Sequence, residues 1–134
     1  MFTLGRDLCD KCAQACTDTL LTAEQSHSVK RYYKQWIANL RREDQVLPQV
    51  QGLLPLLQRG IGVHHSGLLP LLKEIVEMLF SQGLIKVLFA TETFAIGVNM
   101  PAKAVCFNGI AKFDGVSRRY FLATEFECVL FIHM

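Results

Sequence analysis

The stretch from Ile61 to Ala90 constrains the fold more than any other part of this chain. It opens on a short β-like run, Ile61-Gly62-Val63-His64, followed by a His65-Ser66-Gly67 turn. Leu68, Leu71, Leu72, Ile75, Val76 and Leu79 then recur at i, i+3, i+4, i+7, the spacing that lines up one helical face. The spacing predicts an amphipathic helix over 69–82, and Gly83 stands where a C-terminal cap belongs. Lys86-Val87-Leu88-Phe89-Ala90 follows as a compact apolar strand, suited to burial on both faces of a parallel sheet. A polar turn, Thr91-Glu92-Thr93, leads into Phe94-Ala95-Ile96-Gly97. Pro101 blocks a long helix there, and Ala104-Val105-Cys106-Phe107 reads as a further strand. Strand, helix, strand, short helix, strand predicts an α/β fold with right-handed crossovers.

The first half is less patterned. Met1-Phe2-Thr3-Leu4 reads as the last residues of a strand. A helix is predicted over Arg6 to Thr19, with Leu8, Cys12, Ala15, Cys16 and Thr19 along one stripe. Polarity rises between Thr22 and Ser28, which predicts a loop. Lys30 to Arg42 is predicted as a second helix with Tyr33, Trp36, Ile37 and Leu40 on its apolar side, and Val50 to Gln58 as a third, closed by Gly60. Residues 30–48 are expected to be a helical insertion or linker.

Composition narrows the function classes. The 134 residues suit one domain, and a hydrophobic fraction of 51% supports a real core. A net charge of +2 is too small to steer nucleic acid in bulk, so a polyanion site must be local. Five cysteines, an odd number, argue against a disulfide framework and for a reducing, intracellular compartment. No secretory signal is evident, and no stretch approaches about 18 uncharged apolar residues, so no membrane partner is expected.

In open α/β sheets the loops leaving the carboxyl ends of strands carry the chemistry. Two loops are predicted there, His64-His65-Ser66-Gly67 and Thr91-Glu92-Thr93. Both are rich in hydroxyls, small residues and backbone donors, which suits phosphate. Cys9, Cys12, Cys16 and His27 superficially suggest zinc. The three cysteines, however, fall at i, i+3, i+7 on one helical face, and free cysteine packs as a small hydrophobe. His64 and His65 have no carboxylate nearby in sequence, which favours a structural or nucleic-acid-facing role over catalysis. Tyr32, Tyr33 and Trp36 beside Lys30, Arg31 and Lys34 could stack bases, although the spacing of Trp36 assigns it to a core.

The second half resembles the superkiller-type DExH-box RNA helicases. Gly60-Ile61-Gly62-Val63-His64-His65-Ser66-Gly67-Leu68-Leu69-Pro70 is similar to that family's G-I-G-x-H-H-x-G-L-x-P signature, and Val87 to Ala102 to its motif V. Lys112-Phe113-Asp114-Gly115 fits the next landmark; Phe2-Thr3-Leu4-Gly5-Arg6 and Cys9 are a looser match to motif IV. The resemblance implies that residues 1–126 form most of the second of two RecA-like domains, which together clamp ATP and single-stranded RNA. It implies RNA contacts from Thr91, Thr93, His65, Ser66, Gly67 and Lys73, and a nucleotide cleft at Gly97 and Asn99. It further implies superkiller complex subunits and the exosome as partners, in RNA decay, in the cytoplasm rather than the nucleus.

Two departures shape what to expect. The chain has no G-x-x-x-x-G-K-[ST] loop and no Asp-Glu-x-His, so the residues for magnesium and the β- and γ-phosphates lie on the family's first RecA-like domain. Arg119, Phe121-Leu122 and Glu125-Phe126 echo the segment before motif VI, but residues 127–134 diverge from that arginine motif. A fold incomplete at both ends, truncated before motif VI, is therefore expected. Three readings follow: part of an ATP-dependent helicase with no catalytic residue of its own here, an inactive RNA- or partner-binding module, and a non-functional truncated product.

Overall fold

The computed structural model describes residues 1–3, 5–91, 102–109, 111–113 and 116–120. Its described elements run β1 (Phe2–Thr3), α1 (Arg6–Ala15), α2 (Ala23–Ile37), α3 (Arg42–Gln45), α4 (Pro48–Gln58), β2 (Ile61–His64), α5 (Pro70–Ser81), β3 (Val87–Ala90), β4 (Phe107–Asn108), β5 (Ala111–Phe113) and β6 (Arg118–Tyr120). β1 to β4 form one parallel sheet in the order β2-β3-β1-β4. Ile61 pairs with Val87 and His64 with Ala90, so β2 and β3 end level with each other. β5 and β6 pair separately as an antiparallel hairpin. This is the α/β arrangement of parallel strands flanked by helices that the pattern predicts, and it is consistent with the RecA-like fold that the resemblance implies.

Period-2 alternation along the strands divides the core in two. Ile61 and Val63 of β2 and Phe89 of β3 join Cys9 and Ala13 of α1 in one cluster. Leu88 and Ala90 of β3 point the other way, into a larger cluster with Val29 and Tyr33 of α2, Val50, Leu53 and Leu57 of α4, and Leu72, Ile75, Val76 and Leu79 of α5. The sheet thus has α1 on one face and α2, α4 and α5 on the other. Each fully buried leucine or isoleucine contributes roughly 1.5–3 kcal/mol. β2 lies at the end of the strand order yet is buried throughout, because α4 packs directly against it.

α5 matches its prediction closely. Pro70 occupies the first turn, where its missing N–H costs nothing. At the other end Leu84 N–H bonds Leu79 O and Gly83 N–H bonds Phe80 O, the paired bonds of a Schellman cap. Elsewhere the structure corrects the sequence reading. α2 starts at Ala23 rather than Lys30, because Thr22 and Gln25 form a capping box: Gln25 N–H donates to Thr22 Oγ1 and Thr22 N–H to Gln25 Oε1. It ends at Ile37, and a short α3 intervenes before α4. α1 stops at Ala15, where Cys16 turns to extended backbone. Its buried residues are Cys9 and Ala13, with Cys12 and Cys16 packed beside them; Leu8 and Ala15 are exposed. The cysteine face is therefore a packing face, and burial pushes the Cys9 thiol up, which keeps it neutral. The last parallel pairing involves 107–108 rather than 104–107.

Of the three aromatics considered for stacking, Tyr33 is buried. Its hydroxyl donates to Val50 O at 2.7 Å, tying α2 to α4. Trp36 packs against the larger cluster. Tyr32 stays outside with the Arg31 guanidinium over its ring, 5.4 Å from the centroid. No helix among the described residues is long and apolar enough to cross a membrane.

Candidate nucleic-acid interface

Adjacent residues at a strand end point to opposite faces, so the pair His64-His65 cannot act as one unit. His64 turns toward α5, where its Nε2 lies 2.7 Å from Glu77 Oε1. His65 turns toward α1, where its Nε2 lies 3.3 Å from Asp10 Oδ1. Neither carboxylate stands near the histidines in sequence, because the partners are 13 and 55 residues away. Both imidazoles are buried. Their carboxylates are more exposed, at 30% for the Glu77 side chain and 48% for Asp10.

Burial pushes the His64 pKa below its ordinary value, the Glu77 hydrogen bond and charge oppose this, and Lys73 adds to it. His64 is accordingly neutral near pH 7 and donates its Nε2–H to Glu77. Lys73 and Glu77, at i and i+4, share the face of α5 turned to this corner. Because the folded state binds the His64 proton less readily than the unfolded chain, stability is complete above pH 6.5, the ordinary histidine value. It falls as the pH drops from there toward the lowered folded value. Each unit of separation is worth about 1.4 kcal/mol. Urea titrations across that window are expected to show a declining free energy for wild type and a flatter profile for His64→Gln; identical slopes would refute the assignment.

The turn beyond β2 is held by the same groups. Gly67 N–H donates to His65 Nδ1 at 3.1 Å, and Leu68 N–H to His65 O at 3.2 Å. Since Nδ1 accepts, the His65 proton resides on Nε2, directed at Asp10. Gly67 is constrained by closeness: a Cβ there would stand 3.0 Å from His65 Nδ1 and 3.2 Å from Arg6 Cδ. Leu69 N–H, at the start of α5, donates to Gln49 Oε1 at 3.0 Å. On the neighbouring strand, Thr91 N–H donates to His64 O at 3.1 Å, joining the end of β3 to the end of β2.

The structure therefore gathers His65, Ser66, Gly67, Lys73 and Thr91 at the carboxyl ends of two adjacent parallel strands. Ser66 and Gly67 are exposed, Lys73 and Thr91 half-buried. Thr93, Gly97 and Asn99 lie outside the described residues, as do 121–134. Asp10, Gln49 and Glu77 belong to the same corner and escaped notice as site residues. Arg6, at the start of α1, also lies there, its Cδ 3.2 Å from where a Cβ on Gly67 would stand.

Hydroxyls, small residues, backbone N–H groups and a lysine at one sheet end form a surface suited to phosphate oxygens. The chain is 51% identical over 127 residues to Superkiller complex protein 2 of Homo sapiens, covering 94% of this chain and 10% of that protein. It is 50% identical over 127 residues to the DExH-box ATP-dependent RNA helicase DExH11 of Arabidopsis thaliana, covering 94% of this chain and 9% of that one. Over 105 residues, 78% of this chain, it is 54% identical to Exosome RNA helicase MTR4 of Homo sapiens, of which it covers 10%. The chain thus spans about a tenth of the length of the curated relatives it matches. No family model matches it. At half identity across nearly its whole length, with the G-I-G-x-H-H-x-G-L-x-P turn intact at the end of β2, the chain matches one segment of the superkiller-type DExH-box RNA helicases.

Proposed function

We propose that this chain is part of the second RecA-like domain of an ATP-dependent RNA helicase, and that its strand-end loops hold the phosphates of single-stranded RNA. One observation supports the reading above others. The Ser66-Gly67 turn and Thr91 sit side by side at the ends of β2 and β3, linked by the Thr91-to-His64 backbone bond. Thr91 and Ser66 donate hydroxyls, Gly67 lets the RNA backbone approach, and Lys73 supplies charge at the rim. Thr93 adds a second threonine hydroxyl to the proposed RNA contacts. Gly97 and Asn99 serve the nucleotide cleft, Gly97 by admitting close backbone approach and Asn99 by bonding a ribose. Magnesium and the terminal phosphates of ATP are held by the first RecA-like domain, the partner across that cleft; ATP hydrolysis supplies the energy for reopening the clamp.

The names of the relatives favour superkiller complex subunits and the exosome as partners in RNA decay. The cytoplasm is the expected compartment, with the nucleus as the alternative. Because the 134 residues include neither a phosphate loop nor a DExH box, the chain by itself acts as an RNA-contacting module without turnover.

The test uses the purified chain with fluorescent oligouridylate. Wild type binds in a salt-dependent manner, Thr91→Ala and Lys73→Ala each weaken binding by about tenfold, and RNA stimulates no ATP hydrolysis. Unchanged affinity in Thr91→Ala, or RNA-stimulated hydrolysis by the chain alone that disappears in Thr91→Ala, refutes the reading.

A further inference from the structure

His65 is the residue of the turn whose side chain is least available to RNA. Its ring is buried, its Nδ1 accepts the Gly67 N–H, and its Nε2 faces Asp10. His64 is equally buried, with Nε2 on Glu77 and its carbonyl on the Thr91 N–H. Each histidine therefore connects a carboxylate on a flanking helix to a piece of the strand-end backbone, His65 through its ring and His64 through its own carbonyl. The carboxylates come from opposite faces of the sheet, Asp10 from α1 and Glu77 from α5.

We infer that Asp10 and Glu77 are positioning residues, a two-sided clamp that fixes the two imidazoles and through them sets the backbone of the Ser66-Gly67 turn and of Thr91. The inference rests on the proposed RNA-binding role for the site's benefit, but the clamp itself is a property of the fold. The chemistry is specific. A neutral imidazole has one N–H, and either ring nitrogen can carry it. With Asp10 accepting at Nε2, the proton is held there and Nδ1 is left bare to receive Gly67 N–H. Without Asp10 the proton is free to move to Nδ1, where it opposes the Gly67 N–H and opens the turn. On the other face, Glu77 holds the His64 ring and so the peptide whose carbonyl aligns Thr91. An acceptor, not a negative charge, is what each position requires.

Charge and position predict opposite signs, which makes the inference testable. Both carboxylates lie beside a surface proposed to bind a polyanion. By charge alone, removing either one tightens RNA binding, and alanine and amide variants behave alike. By positioning, Asp10→Ala and Glu77→Ala weaken binding, whereas Asp10→Asn and Glu77→Gln, which keep an acceptor oxygen, bind at least as well as wild type. The expected gap between alanine and amide variants at each position is about two- to tenfold in affinity for oligouridylate, the value of one hydrogen bond.

Three readouts on the full chain decide it: oligouridylate affinity, imidazole nitrogen–proton correlation spectra, and Gly67 amide exchange, with thermal melts to confirm that each variant folds. Wild type is expected to show His65 protonated at Nε2 alone. Asp10→Ala is expected to mix the two tautomers and accelerate Gly67 exchange, and Asp10→Asn to restore both. A wild-type Nδ1–H tautomer, or alanine and amide variants that agree in both RNA affinity and Gly67 exchange, overturns the inference. If wild type binds no RNA, the proposed function fails while the tautomer and exchange measurements still settle the clamp.

Discussion

Leu79→Ala is expected to destabilise the chain by roughly 2–5 kcal/mol, the range for emptying a fully buried leucine site. Leu79 is 0% exposed and belongs to the larger cluster together with Leu72, Ile75 and Val76 of its own helix and residues of α2, α4 and β3. It also supplies the carbonyl that accepts Leu84 N–H in the cap of α5. The side chain packs α5 onto the sheet, and the same helix carries Lys73 and Glu77 to the strand-end corner. Loosening α5 therefore reduces stability and the order of the site together. Val46, 70% exposed, is the matched control: Val46→Ala is expected to stay within about 0.5 kcal/mol of wild type. Urea denaturation of the two variants provides the measurement, and equal costs would show that α5 does not carry the core as described.

How legible this was in the sequence depended on how local each signal is. The i, i+3, i+4 spacing of Leu72, Ile75, Val76 and Leu79 is a local pattern, and α5 with its cap emerged as predicted. The apolar run at 87–90 likewise marked a strand buried on both faces. The start of α2 is not marked by apolar residues because its first turns, Ala23 to Ser28, are polar after Ala23 and none of them is buried. Apolar periodicity has nothing to register there. The capping box at Thr22 and Gln25 was the readable signal, and it identifies the helix start without any apolar residue. At the site, the loops leaving β2 and β3 could be placed by the rule that strand ends carry the chemistry. The partners of the histidines could not. Asp10 reaches His65 only because α1 covers one face of the sheet, and Glu77 reaches His64 only because α5 covers the other. Strand alternation does foretell that two neighbouring histidines must seek partners on opposite faces, but not which carboxylates the helices deliver.

Gly60→Val is expected to cost roughly 2–4 kcal/mol, combining a β-branched residue in left-handed backbone with overpacking. Gly60 has φ +83° at the corner where α4 becomes β2. A Cβ there would stand 3.0 Å from Leu21 Cγ and 3.2 Å from Leu21 Cδ2, and Leu21 is itself buried as the chain enters α2. Retreat is restricted, because Leu20 N–H is bonded to Arg59 O at 2.8 Å beside it. The Gly60 carbonyl meanwhile accepts Lys86 N–H at 2.7 Å and Val87 N–H at 3.2 Å, so the residue also starts the β2–β3 seam that ends at the site. Losing a glycine stiffens the unfolded chain and returns up to about 1 kcal/mol, too little to reverse the sign. Gly52, inside α4, supplies the internal comparison: nothing lies within 4 Å of a Cβ built there, and its φ is not positive. Gly52→Ala is therefore expected to stabilise by about 0.5–1 kcal/mol through helix propensity alone. Paired thermal melts should move in opposite directions for the two variants. If Gly60→Val melts with wild type, the corner is not strained and the glycine that opens the G-I-G-x-H-H signature is not there for its backbone.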